Sequence, residues 1–97
     1  MINITPLEKQ MIEMIIQDYE KCGVENTEFH NTYGCDAEKN KLLRGAFTSL
    51  KKKKIISHYN DPGCFNPIFP TEKFIEVCNE NEIEINSKTM NEIRRYL

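Results

Sequence analysis

The sequence predicts a mainly α chain with one small β-hairpin, an α+β fold, on three observations. Apolar residues recur at helical spacing in several stretches, each opened by a capping residue. A turn signal, Asn60-Asp61-Pro62-Gly63, stands between two short runs of β-formers. The basic charge is confined to one segment: residues 39–58 hold seven bases and no acid, whereas residues 1–38 carry eight acids against two bases and residues 59–97 seven acids against four. A chain of net charge −2 that gathers its positive charge in one place has an anionic partner as the first hypothesis to weigh.

A length of 97 residues fits one domain, whose core hides about 60 to 65 % of the unfolded chain's surface. The longest apolar run near the start is Met14-Ile15-Ile16, far short of a leader or of the roughly 20 residues that span a bilayer, so a cytoplasmic protein without membrane contact is expected. Cys22, Cys35, Cys64 and Cys78 are widely spaced with no C-x-x-C pair, and they read as reduced thiols. Ile, Asn and Lys supply 12, 10 and 10 residues while Arg supplies three. That bias is what A·T-rich codons give, pointing to a low-GC bacterial host cell or one of its phages.

Thr5-Pro6 opens the first helix, with Thr as N-cap, Pro at the first helical position and Glu8 in the first turn. Leu7, Met11, Met14, Ile15 and the Asp18/Tyr19 pair then follow helical spacing to Gly23, giving a helix over 6–22. In residues 24–35, Asn26 or Thr27 can cap a short helix that turns Phe29 and Tyr33 inward and ends at Gly34. Asp36 caps the next helix, in which Leu43, Phe47 and Leu50 form the apolar stripe and Leu42 and Ala46 widen it. Glu38, Lys41, Gly45, Thr48 and Lys52 form the opposite face, flanked by Arg44 and Lys51. Residues 55–59 and 65–69 make the hairpin strands, ending before Pro70. Thr71 caps a helix with Phe74, Ile75 and Cys78 inward, residues 82–86 form an extended connector, and Ser87 caps a last helix with the stripe Met90, Ile93 and Leu97. That stripe either packs on the first helix or seals a two-fold dimer.

Residues 29–56, FHNTYGCDAEKNKLLRGAFTSLKKKKII, resemble the helix-turn-helix and first wing strand of MarR-like regulators and small phage winged-helix proteins. Ser49-Leu50 and Lys52-Lys53 fit the closing pattern of the recognition helix in those families, Ile55-Ile56 starts the wing strand, and Pro70-Thr71-Glu72-Lys73 is similar to the segment that follows the wing. The resemblance covers about residues 5–79. It implies one winged helix-turn-helix domain over 1–97 with an extra C-terminal helix: helix-turn-helix about 25–53, wing about 54–70, C-terminal helices about 71–80 and 87–97. The family's glycine after the recognition helix is Lys54 here, so Lys54 must adopt a left-handed conformation or the helix must end differently.

The resemblance further implies a transcription regulator that lays the helix 36–53 in the major groove of double-stranded DNA, commonly as a homodimer. Asn40, Lys41 and Arg44 would reach bases, since Arg and Lys suit guanine and Asn suits adenine, Lys51, Lys52 and Lys53 would meet phosphates, and Lys39 and Thr48 complete the DNA-binding set. Gly45 would let the backbone approach the duplex. The competing reading is that lysines at a helix C-terminus merely complement the macrodipole and that Gly45 relieves packing. The acidic remainder, with Glu38 on the reading face and no base at the Asn60-Asp61 tip, suits a second function: a phage-type or regulatory adaptor that binds protein, for example an inhibitor of a host nuclease, including anti-CRISPR action. An enzyme is not expected. His58 reads as a wing residue and His30 as solvated, Cys22, His30 and Cys35 match no zinc spacing, Cys64 and Cys78 read as wing and core, and no carboxylate pair is placed for acid/base work, so no metal or cofactor is called for.

Overall fold

The computed structural model of the chain describes residues 2–27, 37–58 and 67–97, with the side chains of residues 37–40 outside that description. Helix α1, Pro6–Cys22, begins at a complete capping box: the Glu8 amide donates to the Thr5 hydroxyl at 3.1 Å and the Thr5 amide donates to the Glu8 carboxylate at 2.8 Å. Its inward face buries Met11, Ile12, Ile15, Ile16 and Tyr19. Gly23 ends it at φ +88°, and a 3-10 turn, Val24–Asn26, follows. The rest of the expected short helix, with Phe29, Tyr33 and Gly34, lies outside the described residues, as does the expected cap Asp36.

Helix α2, Ala37–Lys52, packs against α1 through the stripe Leu43, Ala46, Phe47 and Leu50. The expectation that Leu42 widens this stripe is wrong: Leu42 is 61 % exposed. A step of about 100° per residue turns it away from Leu43, onto the flank it shares with Ser49. At the end of α2 the Lys54 amide donates to the Lys51 carbonyl at 3.0 Å and the Ile55 amide to the Leu50 carbonyl at 3.0 Å, with Lys54 at φ +62°. This pair of bonds is a Schellman motif, so of the two outcomes open to Lys54 it takes the left-handed conformation, at a cost of about 1 kcal/mol relative to glycine. Buried Ile55 follows and turns the chain into the sheet.

Strands β1, Ile56–His58, and β2, Ile68–Pro70, pair antiparallel, with Ile56 opposite Pro70, Ser57 opposite Phe69 and His58 opposite Ile68. The ladder thus reaches Pro70, where the sequence places the second strand's end one residue earlier; at the end of a two-stranded sheet the missing N–H is tolerated. The turn residues Asn60, Asp61, Pro62 and Gly63 lie outside the described residues. The Tyr19 hydroxyl donates to the Ile68 carbonyl at 2.6 Å and the Ile68 amide to the Thr27 carbonyl at 2.9 Å, which fixes β2 on α1 and on the turn after it.

Helix α3, Glu72–Glu80, buries Phe74, Val77 and Cys78. Thr71 holds its N-cap position but does not cap it with its side chain. Its hydroxyl donates instead to the Lys54 and Ile55 carbonyls at 2.6 and 2.9 Å, tying the start of α3 to the end of α2. The exit of α3 repeats the geometry of α2: Glu82 sits at φ +56° and the Ile83 amide donates to the Cys78 carbonyl at 2.9 Å. Ile83 and Ile85 then pack on the core, and no strand forms in this connector. Helix α4, Ser87–Arg94, is capped by Asn86 rather than Ser87, since Asn86 Oδ1 accepts from the Thr89 amide at 2.7 Å. Of the two fates open to the last stripe, Ile93 takes the intramolecular one and is fully buried, Met90 is half-buried, and Leu97 falls beyond the helix and stays exposed. No described helix is long and apolar enough to cross a membrane.

Candidate nucleic-acid interface

With one face of α2 held in the core, the opposite face is defined by rotation. Lys41, Gly45, Thr48 and Lys52 stand there at intervals of four, three and four residues, all exposed, with exposed Arg44 and half-buried Lys51 on the hairpin-side flank. Eleven residues of helix separate Lys41 from Lys52, about 16 Å along the axis. Among the described residues no carboxylate lies in ion-pair range of Lys41, Arg44, Lys51 or Lys52. Lys39 and Asn40 belong to the first turn of α2, and their side chains lie outside the description.

Gly45 occupies the middle of this face. A methyl group built at its Cα would meet nothing within 4 Å, so relief of internal packing does not explain the glycine. A glycine inside a helix costs roughly 0.5–1 kcal/mol relative to alanine, and nothing else in the described fold compensates for it. The ammonium of Lys51 lies 6.0 Å from the centroid of Phe47, whose ring meets that of His58 edge-on at 5.0 Å. This stack continues the basic flank of α2 onto the hairpin.

Lys53 departs from the expected set of phosphate contacts. Its ammonium donates to Glu8 Oε1 at 2.9 Å and to the Asn3 carbonyl at 2.8 Å, and Ser49 Oγ donates to the other Glu8 oxygen at 2.8 Å. The Glu8 side chain is 3 % exposed and that of Lys53 34 %, so a buried carboxylate meets a partly exposed ammonium, joining the start of α1 to the end of α2. Burial pushes the Glu8 carboxyl up, but the hydrogen bonds from Lys53, the Thr5 amide and Ser49, with the nearby ammonium charge, more than offset it and hold the group below its ordinary 4.5. The reason for the departure is angular: Lys53 lies one residue past Lys52, about 100° around the helix and on the α1 side. Lysine composition alone does not distinguish the two, although a Glu already placed at a capping position three residues into α1 marks where a buried partner would be required.

Lys54 is the residue the sequence leaves outside the candidate site. It is exposed, and with Lys51, Ser57, His58 and Thr71 it lines an open cleft of about 380 Å³ between the end of α2 and β1. The same run of lysines is the signal that could have found it. Of the cysteines, Cys22 is exposed and Cys78 is buried, and burial pushes the Cys78 thiol up to about 12, which makes it a poor nucleophile. Cys35, Cys64 and His30 lie outside the described residues, within which no His, Cys, Asp or Glu cluster has the arrangement of a metal site. Comparison with protein families, with characterised proteins and with solved structures finds no match to this chain.

Proposed function

We propose that the chain is a small DNA-binding regulator of winged helix-turn-helix type, with α2 as the reading helix and the β1–β2 hairpin as the wing. The observation that carries this reading is the exposed face of α2, where Lys41, Arg44, Thr48 and Lys52 surround a glycine that internal packing does not require. In the reading, Lys41 and Arg44, with Lys39 and Asn40 in the preceding turn, meet base edges, while Lys51 and Lys52 meet phosphates. Lys53 drops out of the contact set because it is held by Glu8. Duplex binding measured by fluorescence anisotropy on random and genomic fragments tests this. Two phosphate-directed lysines give a slope of log affinity against log salt of about −2, with one fragment preferred over the rest. No retention on any duplex at low salt overturns the reading.

A second reading, a phage-type or regulatory adaptor that inhibits a protein partner such as a nuclease, is favoured by a different observation. Leu42, Tyr96 and Leu97 are large apolar residues left exposed, and Tyr96 lies against Phe69 at 5.2 Å between ring centroids. Leu42→Asp separates the two, since it removes an apolar contact without touching any base of α2. The homodimer belongs to the first reading, and with Ile93 in the core its seam would lie at the exposed Tyr96 and Leu97 end. Light scattering of Leu97→Asp checks it, a lower mass than the parent being the expected result.

A further inference from the structure

The four consecutive lysines of the α2 exit are not equivalent. Lys53 is paired with Glu8, Lys52 stands on the exposed face, and Lys51 and Lys54 both line the cleft between that exit and β1. Lys54 is the informative one. It takes the left-handed position of a Schellman motif, where glycine is the least strained residue, and among the described residues its side chain makes no ion pair that would compensate. The backbone therefore keeps a lysine at an unfavourable place, on the lining of a cleft that Lys51 also lines. Two like charges lining one cleft are unfavourable when it is empty and favourable when it receives an anion. The other walls suit the same guest. Ser57 contributes an exposed hydroxyl and His58 its ring, while Thr71 locks the turn by donating to the Lys54 and Ile55 carbonyls, so the position of Lys54 is set before anything binds. Among the described residues no acid lines this cleft; Glu72 lines the neighbouring groove beyond the shared rim of Ser57 and Thr71.

We propose that this cleft is a phosphate-binding site, with Lys51 and Lys54 supplying charge and Ser57 a neutral hydrogen bond. The inference deepens the DNA-binding reading, in which the guest is a phosphodiester of the duplex backbone next to the groove that α2 enters, but the same chemistry accepts free phosphate.

The decisive variant is Lys54→Gly, because glycine relieves the left-handed backbone while it deletes the ammonium. The expected result is opposite in sign on two readouts: a higher melting temperature, and weaker duplex binding with the salt slope reduced by about 0.9. Lys9→Gln, which removes the same charge from the exposed side of α1, is expected to leave the slope unchanged. A Lys54→Gly protein that melts higher and binds duplex with the parent's affinity and slope overturns the site while leaving the DNA reading intact. If the parent binds no duplex, titration with inorganic phosphate followed by the amide resonances of Ile55, Ser57 and His58 decides the matter. Saturable shifts in the parent that vanish in Lys54→Gly keep the site and discard the DNA reading; an absence of saturable shifts discards both.

Discussion

Lys52 and Lys53 are neighbours of identical chemistry, and they belong to opposite halves of the molecule. Lys53 turns toward α1, reaches a carboxylate that is 3 % exposed and joins two helices; Lys52 turns away and meets no described acid. The difference teaches that a run of like charges on a helix is divided by rotation: a residue on the inner flank becomes part of the fold, and its neighbour remains available to a partner. Substitutions on the two flanks of α2 should therefore separate stability from binding.

The largest effect is expected on the inner flank. Glu8→Ala removes half of the capping box, leaves Ser49 without its acceptor and Lys53 with the Asn3 carbonyl alone, and is expected to destabilise the fold by about 3 kcal/mol. For a domain of this size that lowers the melting temperature by roughly 10–20 °C, measurable by circular dichroism. The same group gives a pH dependence. Because its folded pKa is depressed, its contribution is fully present above the unfolded value of about 4.3 and is lost as the pH falls through the folded pKa. Thermal melts between pH 7 and pH 3 should show a loss of stability below about pH 4.3 that is smaller in Glu8→Gln. Equal losses in the two proteins would place the acid sensitivity elsewhere.

On the outer flank the effects exchange. Arg44→Gln and Lys41→Gln are expected to change stability by less than about 0.5 kcal/mol, since both side chains are exposed, and to weaken binding of a preferred duplex roughly tenfold to a hundredfold. Anisotropy titrations beside the melts read both quantities. A variant that loses stability with affinity would show that the outer face supports the fold as well.

The division was only partly legible in the sequence. The bounds of the first helix were legible, because Thr5, Pro6, Glu8 and Gly23 each specify a helix end by local chemistry, whereas its inward face was legible only in part: Ile12 and Ile16 are buried as well, and Leu7 and Met14 only half so. The apolar stripe of α2 was legible for the same reason, being set by periodicity. What the sequence did not give away depends on distant partners. Leu42 lies at the edge of the stripe, where only the packing of α1 decides between core and solvent. Thr71 satisfies every local rule for a side-chain cap, yet its hydroxyl is drawn to carbonyls 16 and 17 residues earlier in the chain. Lys53 was assigned to phosphate with its neighbours because its acceptor, Glu8, is 45 residues away. Within the candidate site, then, spacing identified Lys41, Thr48 and Lys52 as one face with Arg44 on its flank, and tertiary contacts removed Lys53 and brought Lys54 to the cleft wall.

A smaller effect tests the middle of the outer face. Gly45→Ala adds a methyl group that meets nothing within 4 Å and is expected to stabilise the protein by about 0.5–1 kcal/mol. If the bare backbone is there to let a duplex approach, the same change weakens binding. A protein that gains stability and keeps its affinity would show that Gly45 serves neither packing nor the partner.

The smallest expected effect comes from pairing two helix exits that share one geometry. Lys54 and Glu82 both occupy the left-handed position of a helix exit closed by a bond from the next amide to the carbonyl five residues before it, at φ +62° and +56°, and each is followed by an isoleucine that packs against the core. Glu82→Gly relieves the same backbone as the change at Lys54 but lies on the acidic connector after α3, away from the basic face. It is expected to raise stability by up to about 1 kcal/mol, seen as a shift of a few degrees in the melt, and to leave duplex affinity and its salt slope unchanged. Equal thermal gains at the two exits with a binding loss at Lys54 alone would assign that loss to the ammonium and not to the altered turn. A matching loss at Glu82 would mean that relaxing either exit disturbs binding, and the comparison between a structural flank and a binding flank would fail at the hinge between them.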